Sequence, residues 1–162
     1  MSRRLAPAAT TPAVDLAVLL MRVIVGPIMA YHGWKKLDVG VGTFAKFVAT
    51  NVDVPAPELV ARVVVLIEFA GGIFLVLGLL TRLWALLLAG EMISIVFLVK
   101  WDVGLIGPPG RGGGYELDLA IAACALGLLF IGPGRFSIDR LLPLERAAGG
   151  RLSAATRPTA GA

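Results

Sequence analysis

The sequence predicts an all-α fold: an integral membrane four-helix bundle with a short cytoplasmic interfacial segment. Three observations predict it. Hydrophobic residues make up 57% of the 162-residue chain and charged ones only 16%, with a mean hydropathy of +0.86. Four apolar segments approach the roughly 20 residues that a spanning helix needs. The ionisable residues inside those segments are isolated, whereas a soluble helix would carry a charged face.

The first span runs from about Val14 to Tyr31, the second from Leu59 to Leu80, the third from Leu83 to Val99 and the fourth from about Tyr115 to Ile131. Only Thr81 and Arg82 separate the second and third, so these form a tight antiparallel hairpin. Asp15 and Arg22 interrupt the first apolar stretch, which argues against a cleaved signal peptide. Gly26/Ala30, Ala85/Ala89 and Ala123/Gly127 have small-xxx-small spacing, and Gly71, Gly72 and Gly78 thin the second span, so close helix approach is expected. Pro27 inside the first span predicts a kink. Trp34, Trp84 and Trp101 fall near span ends and read as interfacial anchors.

Residues 32–58 and 100–114 read as outer loops. The Gly104–Gly114 stretch has neither the Lys-Ser/Thr ending of a phosphate loop nor a preceding strand, so it reads as a flexible hairpin. After the fourth span Gly132-Pro133-Gly134 stops the helix, and Ser137 is expected to cap a short interfacial segment bearing Ile138, Leu141 and Leu142. The expected organisation is a disordered N-terminal tail over residues 1–12, a transmembrane domain over 13–146 and a disordered C-terminal tail over 147–162.

Fifteen Lys and Arg oppose eleven Asp and Glu. The bases are not interleaved with aromatics, which excludes a nucleic-acid groove. Eight lie in the N-terminus (Arg3, Arg4), the hairpin turn (Arg82) and the C-terminal segment (Arg135, Arg140, Arg146, Arg151, Arg157). The other loops hold five: Lys35, Lys36, Lys46, Lys100 and Arg111. The positive-inside rule therefore places both termini in the cytoplasm of a multi-pass protein of the bacterial cell membrane. The single Cys124 leaves no intrachain disulfide or CxxC pair.

Arg22, Glu68 and Glu91 each fall near the middle of a span, where a charge costs roughly 2.5–3.5 kcal/mol on insertion scales. Measured from His32, Leu59 and Val99, they lie about 15, 13 and 12 Å along their helices, at nearly one depth. This predicts an intramembrane polar cluster in which Arg22 is bidentate to one carboxylate and the other bridges or carries a proton. Asp15 is a further acid on the cytoplasmic side. Tyr31, His32, Lys36, Arg62, Glu116 and Asp118 are expected to form an outward polar mouth above the cluster, with Lys35 beside them. The single His excludes a bis-histidine haem site within one chain. No metal-ligand cluster and no catalytic nucleophile set stands out.

Arg22 and Gly26; His32-Gly33 and Lys36-Leu37; Glu68 with Gly72, Leu75 and Gly78; Gly113-Gly114-Tyr115-Glu116; and Gly132-Pro133-Gly134 with Ser137 and Asp139 together resemble the DoxX family of small bacterial and archaeal membrane proteins, over about residues 16–140. The resemblance implies a four-helix membrane protein. Some relatives are associated with respiratory or sulfur-oxidising quinone oxidoreductase assemblies, and mycobacterial ones with a membrane oxidoreductase complex that handles oxidative and thiol stress. It implies no catalytic residue set; Glu91 comes from depth alone.

The leading expectation is therefore an accessory subunit of a membrane oxidoreductase assembly. Its polar cluster would hold a quinone or relay protons, and redox partner proteins would supply the electron carriers. Two alternatives are a small transporter or channel built as a homo-oligomer in the lipid bilayer, and a structural scaffold that docks soluble redox enzymes on its basic cytoplasmic face.

Overall fold

Residues 11–108 and 113–141 are described by a computed structural model, and every regular element in them is helical. Helix α1 spans Pro12–Val39, α2 Val41–Asn51, α3 Pro57–Leu77, α4 Thr81–Ile95 and α5 Glu116–Ile131. A π-turn over Val96–Lys100 and a 3-10 turn over Trp101–Val103 continue α4. Three helices are long and apolar enough to cross a membrane: Pro12–Val39, Pro57–Leu77 and Thr81–Val103. At 16 residues, α5 covers about 24 Å and packs along α4. The expected tails lie outside the described residues except at Thr11, whose hydroxyl caps α1 by accepting from the Val14 amide, and at Pro12, which opens α1 and so belongs to the helix and not to a tail. Leu142 and the loop tip at 109–112 lie outside them as well.

Two extensive pairings build the bundle, α1 against α3 and α4 against α5, with α2 laid against α3. Glycine sets the first pairing. A Cβ on Gly72 would strike the backbone of Ala30 and Gly26, and one on Gly33 would strike the backbone of Phe69, so the two helices touch main chain to main chain. The predicted Gly26/Ala30 spacing is one side of this seam. Ala85 and Ala89 are buried on α4. Ala123 is exposed, so the third small pair forms no helix seam within the chain.

The α3–α4 hairpin forms as expected, with its turn at Gly78–Leu80. Gly78 is left-handed at φ 68°, a conformation that glycine adopts without steric cost, and a Cβ there would collide with the Arg22 guanidinium. Asp139, after α5, organises the turn. Its amide donates to the Gly78 carbonyl at 2.9 Å, and its carboxylate accepts from the Leu80 amide at 2.7 Å and the Thr81 amide at 2.9 Å. A carboxylate on the first amides of α4 satisfies orphan donors and complements the helix dipole. Asp139→Ala is expected to lower stability by about 1–2 kcal/mol, read as a fall in the thermal midpoint of the detergent-solubilised protein. Asp139→Glu should recover only part of it, because the longer side chain displaces the carboxylate.

Four expectations are corrected here. The first helix runs eight residues beyond Tyr31, through Pro27 without interruption, so His32, Lys35, Lys36 and Asp38 are helical. Residues 41–51, read as loop, form α2. Trp84 turns inward and stacks on Phe74, with ring centroids 5.4 Å apart, and does not anchor the interface. Ser137 does not cap; its hydroxyl donates to the Gly134 carbonyl at 2.9 Å, and only a single turn, Ile138–Arg140, follows.

Candidate functional site: a polar-floored cavity

Arg22 is 1% exposed, and its position overturns the expected single-depth cluster. Among the described residues it forms no ion pair with a carboxylate; its partners are backbone carbonyls. Its Nε donates to the Leu75 carbonyl at 2.8 Å and Nη2 to Val76 at 2.8 Å. Nη1 donates to Pro133 at 2.9 Å and to Phe136 at 2.6 Å. The first two acceptors are carbonyls of the last turn of α3, of which Leu75 also accepts the Gly78 amide at 3.1 Å, and the other two belong to the chain after α5. The guanidinium fork thus ties three segments at the end of the bundle that holds the α3–α4 turn. Asp15 lies at the same end, accepting from the Arg135 amide at 2.9 Å. The depth estimate for Arg22 failed because it was counted from His32, whereas the helix ends at Val39.

Glu68 and Glu91 do share a level. Glu68 is ten residues before the α3–α4 turn and Glu91 eleven after it, about 15–16 Å along each helix. Around them the bundle splays into a cavity of about 580 Å³, within the range of small-molecule sites. All five helices contribute to its wall: Met29, His32 and Lys36 from α1; Phe44, Phe47 and Val48 from α2; Val64 and Glu68 from α3; Glu91 and Met92 from α4; Asp118 and Ile121 from α5. Valines and leucines fill most of the remainder.

The lysines and acids of the cavity fall into two ion pairs and one carboxyl outside them, and Ser94, also on the wall, donates to the Gly90 carbonyl at 2.8 Å. Lys36 reaches back into the bundle and donates to Glu68, which is 2% exposed. Lys100, on the π-turn, donates to Asp118 at 2.6 Å. Glu91, 8% exposed, has both carboxylate oxygens buried and no hydrogen-bond partner among the described residues. His32 stands exposed at the rim. Among the described residues no group of three or more His, Cys, Asp or Glu is placed to hold a metal ion.

Residues 17–101, just over half of the chain, match the family model described as DoxX. The inner membrane protein YqjF of Escherichia coli K12 is 32% identical over 128 residues, covering 79% of this chain and 93% of that one. The chain belongs to the DoxX family. The uncharacterized membrane protein Rv3486 of Mycobacterium tuberculosis is 30% identical over 83% of this chain and 86% of its own length. The protein of Bacillus subtilis named "Putative oxidoreductase CatD" is 28% identical over 77% and 86%. No solved structure matches.

Of the residues that carried the DoxX resemblance, Gly26, Gly33 and Gly72 form the α1–α3 seam, and two further groups lie toward the ends of the bundle. Arg22, Gly78, the 132–134 run, Ser137 and Asp139 build the lock at the turn end, while His32, Lys36 and Glu68 face the cavity. Within the expected mouth, His32, Lys36 and Asp118 line the cavity together with Glu68 and Glu91 from the expected cluster. The other mouth residues stand apart. Tyr31 is 62% exposed, Glu116 is exposed on the first turn of α5, and Arg62 pairs with Glu58 at 3.7 Å on the outer side of α3.

Sequence reasoning missed two contributors. Lys100 counted only as a loop base, since nothing in its neighbours marks Asp118 as its partner. The roof helix α2 was legible: Val41, Phe44, Ala45 and Val48 follow the i, i+3, i+4, i+7 pattern of an amphipathic helix, and Ala45 and Val48 are buried.

Proposed function

We propose that this DoxX-family membrane protein is an accessory subunit of a membrane oxidoreductase assembly. In this reading it crosses the bilayer four times with both termini cytoplasmic, and its cavity receives the headgroup of a quinone-like molecule or relays protons. One observation carries the reading. Glu91 keeps two buried carboxylate oxygens without a partner among the described residues, in a cavity whose other acidic groups, Glu68 and Asp118, are each paired with a lysine. A buried polar group left unpaired costs about 1–3 kcal/mol, and a guest that hydrogen-bonds to it offsets that cost. The oxidoreductase name of the Bacillus relative supports the same reading.

The residues fit such a guest. Glu91 meets the polar head, the pairs Lys36–Glu68 and Lys100–Asp118 fix the charges around it, and Phe44, Val64 and Ile121 cover its apolar body. A bound quinone would supply two-electron, two-proton redox chemistry, with electrons exchanged through partner proteins. The lining residue of α4 nearest the turn is Leu87, so the chamber stops short of the Arg22 lock, which favours a pocket over a channel.

The test is organic extraction of the full-length protein purified in mild detergent. Near-stoichiometric quinone is expected, falling about tenfold in Glu91→Gln, since each 1.4 kcal/mol is tenfold in affinity. Quinone-free protein, together with unchanged partner activity in a folded Glu91→Gln variant, would overturn the reading.

A further inference from the structure

The cavity walls carry an unbalanced charge. Lys36 and Lys100 face three carboxylates, Glu68, Glu91 and Asp118, and each lysine is already committed to an acid other than Glu91. With His32 neutral, a formal surplus of one negative charge therefore faces a chamber whose remaining surface, His32 and Ser94 apart, is apolar. An ion held in such surroundings is costly to keep charged, and a counter-ion of good geometry offsets that cost.

The roof is suited to a cation as well. Phe44 and Phe47 stack at 6.1 Å between centroids, and the Lys36 ammonium stands 5.0 Å over the Phe44 ring, so an aromatic face is already turned toward positive charge. Quaternary ammonium recognition elsewhere uses aromatic faces in this way. The apolar lining from Val60, Val64, Leu98 and Ile121 excludes small hydrated ions and selects guests with large hydrophobic substituents.

We propose that the cavity binds amphiphilic organic monocations, namely hydrophobic amines and quaternary ammonium or phosphonium compounds, with the cationic centre at Glu91 and its substituents against the valine and leucine walls. This goes beyond the quinone reading and does not require it. It makes the protein a receptor for lipophilic cations that partition into the bilayer.

Equilibrium dialysis of the full-length protein in nonionic detergent tests this with radiolabelled tetraphenylphosphonium and its near-isosteric anion, tetraphenylborate. Saturable binding of one cation per chain is expected, with the anion weaker by about tenfold or more. Glu91→Gln should weaken the cation by about tenfold or more and leave the anion unweakened. Should that variant fail to fold, the wild-type protein decides alone: a quaternary ammonium should displace the bound phosphonium, and its uncharged carbon isostere should not. Equal binding of cation and anion, undiminished binding in folded Glu91→Gln, or displacement by the carbon isostere each overturns the proposal. Cation binding in quinone-free protein, with unchanged partner activity in folded Glu91→Gln, would refute the quinone reading alone, and extracted quinone without cation preference would refute this inference alone.

Discussion

Replacing Arg22 with methionine is expected to destabilise the protein by about 3 kcal/mol or more, since the buried Pro133 carbonyl and the part-buried Val76 and Phe136 carbonyls lose their side-chain donor while Leu75 keeps the Gly78 amide, and each unsatisfied group costs about 1–3 kcal/mol. The methionine fills much of the same volume, so the loss reports the hydrogen bonds and not a void. Arg22→Lys should recover little. A single ammonium cannot reach acceptors on α3 (Leu75, Val76) and on the chain after α5 (Pro133, Phe136) at once, whereas the planar fork does so with three nitrogens. Thermal unfolding of the detergent-solubilised variants measures this, and a methionine variant melting within about 3 °C of the parent would refute the role of the lock.

The second large effect is expected at Gly72. Its virtual Cβ meets main-chain atoms of Ala30 and Gly26, which cannot rotate away as a side chain would. Gly72→Ala is therefore expected to cost about 1–3 kcal/mol, and Gly72→Leu to exceed that range and prevent accumulation of folded protein. Gly90 supplies the contrast. It lies within α4 with nothing within 4 Å of its virtual Cβ, so Gly90→Ala should be neutral or stabilising by up to about 1 kcal/mol. A Gly72→Ala variant as stable as Gly90→Ala would show that the helices can separate freely.

What could be read from the residues follows from the kind of signal each feature leaves. The long apolar runs at 59–80 and 115–131 place α3 and α5 within a few residues, because burial in lipid demands continuous hydrophobicity. The end of α1 was not legible, since His32, Lys35, Lys36 and Asp38 look like loop residues although they prolong the helix past the apolar run. That error propagated to Arg22, whose depth depended on where α1 stopped. Its true acceptors were hidden for a deeper reason: backbone carbonyls exist at every residue and leave no mark in composition. Glu68 and Glu91, in contrast, fall at similar distances from the short hairpin between them, which fixes their register. Asp118 was singled out, but its partner Lys100 lies on a π-turn that the apolar pattern does not announce.

The lock at the turn end also bears on how the chain is made. Synthesis proceeds from the N-terminus, and the Pro133 and Phe136 acceptors follow Arg22 by 111 and 114 residues. The first segment therefore leaves the ribosome with a guanidinium half of whose acceptors have yet to be translated. During biogenesis this arginine must stay near water or headgroups, or be shielded by the insertion machinery. Assembly is complete only when the last segment arrives, so a ribosome stalled before residue 133 would release a product whose opening helix is not yet stable in lipid.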